Sequence, residues 1–221
     1  SLGVLSDRVK DRLTGVKRAD SLAFDFHKWL HVNYDAGFAL IRDEKLHRAA
    51  FTDRPDYLTA KARGLAGGNP WPVEYGPELS RGFRALKVWA QIAEFGTDRL
   101  GRMIERNCYQ ASYLGEQVEK TPGLELLAPV ALNICCFRYV EPGLSDEVLD
   151  AMNDEIVIQL QEQGSAAPST TRLKGRLAIR VNITNHRTAR ADLDILLEEV
   201  QRIAASPEVA AVRDAALKDA G

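Results

Sequence analysis

A chain of 221 residues with 45% apolar and 27% charged side chains has the make-up of a folded globular protein, long enough for one large domain or two small ones, so disorder is not its default state. With 29 basic against 31 acidic residues the net charge is −2, which gives no electrostatic reason to expect a nucleic-acid groove or an anionic membrane surface and favours a small-metabolite partner. No run approaches the roughly 18 to 20 apolar residues of a membrane span, and the cysteines are Cys108 and the adjacent Cys135 and Cys136, an odd set that makes no disulfide framework, so a reducing, cytoplasmic setting is expected.

The opening Ser1-Leu2-Gly3-Val4-Leu5 lacks a basic stretch ahead of a long apolar core, so it does not read as a signal peptide, and the chain begins as though inside a fold. Residues 6–16 space Val9, Leu13 and Val16 as the apolar face of a short amphipathic helix with Ser6 as N-cap. Ser21-Leu22-Ala23-Phe24 predicts a buried strand, followed at once by Asp25-Phe26-His27-Lys28-Trp29. Gly37–Ile41 predicts a second strand, and Asp43-Glu44 opens a short helix.

From Thr52 to Leu79 periodicity vanishes among four prolines and four glycines. A loop of that length is more often functional than idle. The helical pattern returns at Arg81, with Phe83, Leu86, Val88, Trp89 and Ile92 on one face; Gly96 breaks it, and a second helix runs from about Thr97 to Lys120 before Thr121-Pro122-Gly123. The remainder predicts an α+β unit with strands at Ile134–Val140, Ser169–Leu173 and Arg176–Ile183. Its helices are Asp146–Gln163, capped by Ser145, and Ala189–Ala205, and a last helix has Ser206 as N-cap and Pro207 at its first position.

The chemistry centres on Lys28. A lysine at a strand end lies where α/β folds build their sites. A desolvated lysine gives up its proton more readily, and a neutral amine condenses with an aldehyde to a Schiff base. The spacing alone favours a solvated Lys28 beside a packed His27. His31, His47 and His186 share no metal-ligand spacing, so no metal is expected.

The run Ala19-Asp20-Ser21-Leu22-Ala23-Phe24-Asp25-Phe26-His27-Lys28-Trp29 resembles the cofactor-attachment signature of the group II pyridoxal-phosphate-dependent amino-acid decarboxylases, the aromatic-L-amino-acid and glutamate decarboxylase-like family. The resemblance continues in the family's order through Tyr34-Asp35-Ala36-Gly37, Pro55-Asp56-Tyr57-Leu58 and Ser80-Arg81-Gly82-Phe83-Arg84-Ala85-Leu86-Lys87-Val88-Trp89. It is strong over residues 19–96 and weaker through residue 205. Phe26 stands where many relatives carry proline or a small residue.

This resemblance implies an α/β fold: the C-terminal part of the fold-type I large domain in residues 1–96, with a mobile loop at about 52–79, then a linking helix and a small α+β C-terminal domain in residues 97–221. The implied cofactor is pyridoxal 5'-phosphate, carried by Lys28 as an aldimine, with His27 beside it. Asp25 falls where the family has a polar residue near the phosphate, which is electrostatically awkward for a carboxylate and points to an orienting role. Tyr57 matches a loop tyrosine that returns the proton after carbon dioxide leaves, acting in the neighbouring subunit of a homodimer. Ser80 would offer a backbone N–H to the partner's phosphate, with Arg81 and Arg84 supporting that junction or forming ordinary ion pairs. Arg180, on a small-domain strand, would meet a substrate carboxylate or form a structural salt bridge.

The implied reaction is decarboxylation of an L-amino acid to the amine. The alternatives are another pyridoxal-phosphate-dependent lyase or aminotransferase-type activity, or an inactive dimerisation fragment. In the family the aspartate that holds the pyridine nitrogen and the histidine that stacks on the ring lie upstream of the lysine, the aspartate just before the position of Ser1. A separate upstream chain or a longer polypeptide is therefore expected to complete the site.

Overall fold

A computed structural model describes residues 2–53, 61–64, 67–68 and 71–219, which fall into two compact units: Leu13–Thr97, and Leu2–Arg12 together with Asp98–Gly221. Each is described by itself.

The first unit is built on a hairpin. Strand β1 (Ser21–Asp25) pairs antiparallel with β2 (Gly37–Ile41), in a register that sets Phe24 opposite Phe38 and Asp25 opposite Gly37. Between them lies the single helical turn α1 (Phe26–Trp29). Trp29, Leu30, Val32 and Ala36 are buried, whereas β1 is only partly buried and β2 is largely exposed. The expected burial of β1 is thus not met in this chain: a strand gains it from neighbours on both faces, and the hairpin pairs with no further strand among the described residues.

Helix α2 (Glu44–Phe51) starts where Asp43 accepts a hydrogen bond from the Leu46 N–H at 3.0 Å. A 3₁₀ turn at Pro72–Tyr75 is tied to it by an Arg48–Glu74 ion pair at 2.6 Å and a Tyr75–Glu44 hydrogen bond at 2.7 Å. Helix α3 (Arg84–Lys120) is interrupted at Gly96, whose φ of 68° and ψ of 158° are non-helical, so the break expected from the sequence is present.

In the second unit a four-stranded antiparallel sheet runs in the order β3 (Leu124–Leu126), β4 (Ile134–Tyr139), β6 (Arg176–Asn182), β5 (Ser169–Leu173). Helix α4 (Asp146–Glu162) lies across the sheet, α5 (Arg190–Ala204) packs against β4 and α4, and α6 (Pro207–Asp219) packs against α4 and α5. The core formed there includes Leu114, Phe137, Met152, Ile156, Leu160, Ile179, Val200 and Ile203. Burial pushes the Cys108 thiol up to about 11 and Cys135 up to about 12, which keeps both protonated and unreactive at neutral pH.

The N-terminal stretch departs from expectation. Residues 6–16 do not form an α-helix; Leu2–Leu5, Lys10–Leu13 and Val16–Arg18 are separate 3₁₀ turns. Ser6 donates its hydroxyl hydrogen to Glu105 Oε2 at 3.0 Å, and Gly15, at φ 98°, turns the chain out of a helical path. The Leu5 carbonyl also packs so closely on α3 that a Cβ at Gly101 would lie 2.2 Å from its oxygen.

Candidate active site

Cross-strand packing fixes the end of β1. Phe24, Phe26 and Phe38 form an aromatic cluster with centroid separations of 4.9, 5.0 and 5.3 Å. The Phe26 N–H donates to the Ala36 carbonyl at 2.9 Å, so α1 starts from a clamped residue. One turn of helix returns residue 28 over residue 25, and Lys28 Nζ meets Asp25 Oδ2 at 2.5 Å. That ammonium holds the Asp25 carboxyl below the usual carboxylate range through its hydrogen bond first, with partial desolvation opposing and its charge adding.

His27 is inserted beside this pair, with a side chain 12% exposed. Its Nδ1 accepts a hydrogen bond from the Ala36 N–H at 2.9 Å, and Nε2 stands 3.9 Å from Asp25 Oδ1. The Tyr34 ring meets the imidazole edge-on, with centroids 4.6 Å apart. The segment 34–36 thus grips the imidazole at Nδ1 and by its ring, while Nε2 is left near Asp25.

The Lys28 side chain is 65% exposed, which differs from the desolvated amine expected at a strand end. The turn places it outward, and its ionic partner is the carboxylate three residues back. An exposed ammonium paired to a neighbouring carboxylate keeps most of its hydration. Asp25 is correspondingly engaged with Lys28.

The other expected site residues belong to other segments of the chain. Tyr57 lies outside the described residues. Ser80 is exposed in the bend before α3. Arg84 makes its ion pairs within the chain, Nε lying 3.1 Å from both carboxylate oxygens of Asp35 and Nη1 lying 3.3 Å from Glu78. Arg180 belongs to the other unit, on β6 between its cross-strand neighbours Cys136 and Ser169. It lines a cleft of about 410 Å³ with Asn182, Asp192 and Leu196, and among the described residues no carboxylate pairs with it.

The Ala36 amide and the Asp35–Arg84 pair were not singled out as parts of the site from the sequence. The motif at 34–37 marked the place, but nothing local ties residue 35 to residue 84. Among the described residues no group of three or more His, Cys, Asp or Glu side chains is arranged to hold a metal, and no helix is long and apolar enough to cross a membrane.

A primary amine reachable from solvent, paired with a carboxylate whose other oxygen stands 3.9 Å from an imidazole nitrogen, forms a donor set that fits attachment of an aldehyde cofactor. Comparison with known proteins agrees: the pattern that defines the pyridoxal-dependent decarboxylase conserved domain matches residues 2–140. The chain belongs to the pyridoxal-dependent decarboxylase family.

Among relatives of this family, the aromatic-L-amino-acid decarboxylase of Bacillus atrophaeus is 33% identical over 202 residues, covering 91% of this chain and 42% of that protein. The L-2,4-diaminobutyrate decarboxylase of Acinetobacter baumannii is 29% identical over 170 residues, covering 77% of this chain and 33% of that protein. A crystal structure of Oryza sativa TDC with PLP and tryptamine superposes with a TM-score of 0.81 at 22% identity, over 92% of this chain and 42% of that one, which shows a shared fold. The chain therefore spans about two fifths or less of the length of these relatives. Its fold class is that of the family, α/β and partial, as the sequence resemblance implied.

Proposed function

We propose that this chain contributes the lysine-bearing part of a pyridoxal-phosphate-dependent carboxy-lyase that converts an L-amino acid to its amine and carbon dioxide. The observation that carries the reading is the Lys28–Asp25–His27 cluster at the end of β1, inside the stretch that matches the family. Bound pyridoxal phosphate would supply an electron sink for the pair left behind when the carboxylate departs.

The chain's own residues would do the rest. Lys28 Nζ would be the amine that holds the cofactor's aldehyde, and it is reachable from solvent. Asp25 holds that amine at 2.5 Å and so orients it. His27, with Nδ1 already engaged, presents Nε2 as a donor to the cofactor side of the cluster. Tyr57 returns a proton to the reacting carbon, a step for which a phenol re-supplied from solvent is suited. Ser80 supplies a backbone N–H to a phosphate, and Arg180 recognises a substrate carboxylate with its planar guanidinium.

The domain division follows from this reading: residues 1–96 belong to the cofactor-binding large domain and residues 97–221 to a linking helix and the small domain. The assembly is a homodimer with shared sites, or one completed by a separate upstream chain, in a cytoplasmic setting. Residues from that assembly would cover Lys28 and supply the partners of the pyridine ring.

A second reading, that this stretch alone is a non-catalytic dimerisation fragment, is supported by the 65% exposure of the Lys28 side chain. Pyridoxal phosphate trapped on the protein with borohydride and located by mass spectrometry separates the two. Modification at Lys28, with amine formation reduced on the order of a thousandfold or more in Lys28→Ala, is expected; no adduct at residue 28 in any assembly sinks the enzyme reading. Tyr57→Phe should divert product from amine toward oxidative or transaminating products; if amine remains the product at the unaltered rate, the tyrosine's role is refuted.

A further inference from the structure

The geometry around His27 points to an additional pair of residues outside the Lys28 cluster. A neutral imidazole carries one proton, and the nitrogen that accepts a hydrogen bond determines which nitrogen donates. The Ala36 N–H donates to Nδ1 at 2.9 Å, so neutral His27 carries its proton on Nε2, the nitrogen 3.9 Å from Asp25 Oδ1. The choice of donor nitrogen therefore depends on where the Ala36 amide is held.

Two interactions hold it. On one side the Phe26 N–H donates to the Ala36 carbonyl at 2.9 Å. On the other, the preceding residue, Asp35, is gripped by Arg84 Nε at 3.1 Å to each carboxylate oxygen, while Glu78 steadies the same guanidinium at 3.3 Å. The Tyr34 ring closes on the imidazole at 4.6 Å. Arg84, at the start of α3, thus reaches His27 through three consecutive residues of the loop before β2.

We propose that Arg84 and Asp35 are positioning residues for His27: their ion pair fixes the Ala36 amide against Nδ1 and so sets Nε2 as the nitrogen that donates toward the cofactor. The proposal rests on the reading of His27 as a cofactor-side residue. Outer partners that orient an imidazole by its second nitrogen are a general device in metal and catalytic sites. Asp35 suits the task because the Arg84 hydrogen bond and charge keep its carboxyl below the usual range and therefore ionised at neutral pH.

The test uses the full chain labelled with ¹⁵N-histidine, the His27 signals being assigned by their loss in His27→Gln. One neutral tautomer, protonated at Nε2, is expected in the parent protein. Arg84→Gln and Asp35→Ala should convert it to a tautomer mixture, and Arg84→Lys, which can still bond Asp35, should restore most of it. Should Asp35→Ala fail to fold, Asp35→Asn keeps the side-chain shape and carries the same comparison.

Retention of pyridoxal phosphate by the assembled protein gives the second readout. Arg84→Gln should weaken it by about threefold to tenfold in the parent background and leave it unaltered when His27→Gln is already present, the non-additivity expected of residues acting as one unit. An unaltered Nε2 tautomer in folded Arg84→Gln overturns the proposal, as does an equal loss of retention in both backgrounds. A shifted tautomer with undiminished retention leaves the coupling standing and overturns the cofactor role of His27.

Discussion

The two units handle their apolar residues in opposite ways. In the second, Phe137, Ile156, Leu160, Ile179 and Ile203 are sealed between the sheet and its helices. In the first, Phe83 is 76% and Trp89 67% exposed, and Leu40 and Leu86 are also in water. Apolar surface left in water contributes nothing to folding. Stability is therefore concentrated in the unit that lacks Lys28, and the residues read as chemistry sit on a hairpin and short turns with a small core of their own.

The sharpest way to break this contrast is to truncate one large side chain in each unit and follow unfolding by denaturant. Phe137→Ala should cost about 3–5 kcal/mol, because it removes a buried ring and leaves a cavity. Trp89→Ala should change the stability of this chain by less than about 0.5 kcal/mol, as expected for an exposed position. Equal losses would show that α3 gains its stability in the same way as the sheet.

A smaller but still large effect is expected at Asn153, which is fully buried on α4. Its Oδ1 accepts from the Tyr139 N–H at 2.7 Å, and its Nδ2 donates to the carbonyls of Tyr139 at 2.9 Å and Leu149 at 2.8 Å. Asn153→Ala leaves polar backbone groups at the end of β4 without these partners and should cost about 2–3 kcal/mol. Loss of hydrogen-exchange protection at the end of β4 would localise the damage.

In the first unit a smaller, local effect should come from a helix cap. Asp43→Ala removes the acceptor for the Leu46 N–H and should cost about 1 kcal/mol, seen as faster amide exchange confined to the first turn of α2.

The smallest effect concerns acid. Glu199 is held down to about 2 by hydrogen bonds from Arg202 and then Ser165, against a usual value of 4.5. Because its folded-state value is depressed, its contribution is complete above about 4.5 and fades as pH falls from there through about 2. The group is exposed and salt screens it, so the change should be slight. Arg202→Gln should move the Glu199 titration upward in a carboxyl NMR experiment; an unmoved titration would show that the ion pair does not form in solution.

Much of the fold was legible in the sequence. Ser145 caps α4 through its hydroxyl at 3.4 Å from the Val148 N–H, Ser206 stands 3.3 Å from the Val209 N–H ahead of Pro207, and Gly37–Ile41 and Ser169–Leu173 are strands as their apolar and β-branched runs indicated. At the site, the run from Asp25 to Lys28 marked where an amine, an imidazole and a carboxylate come together, since all belong to one turn of chain.

What lay beyond the sequence depends on contacts between distant residues. Leu124–Leu126 is too short to show a period and is a strand because β4 pairs with it. Residues 6–16 have a helical spacing, yet Glu105, 99 positions away from Ser6, takes the hydroxyl that was to cap them. The sequence by itself determined the local elements and the chemical identity of the cluster, because caps, periodicity and adjacency act within a few residues. Only the tertiary structure decided that Lys28 is exposed and ion-paired and that His27 is gripped by Ala36, because burial and hydrogen-bond partners are set by what the folded chain brings alongside.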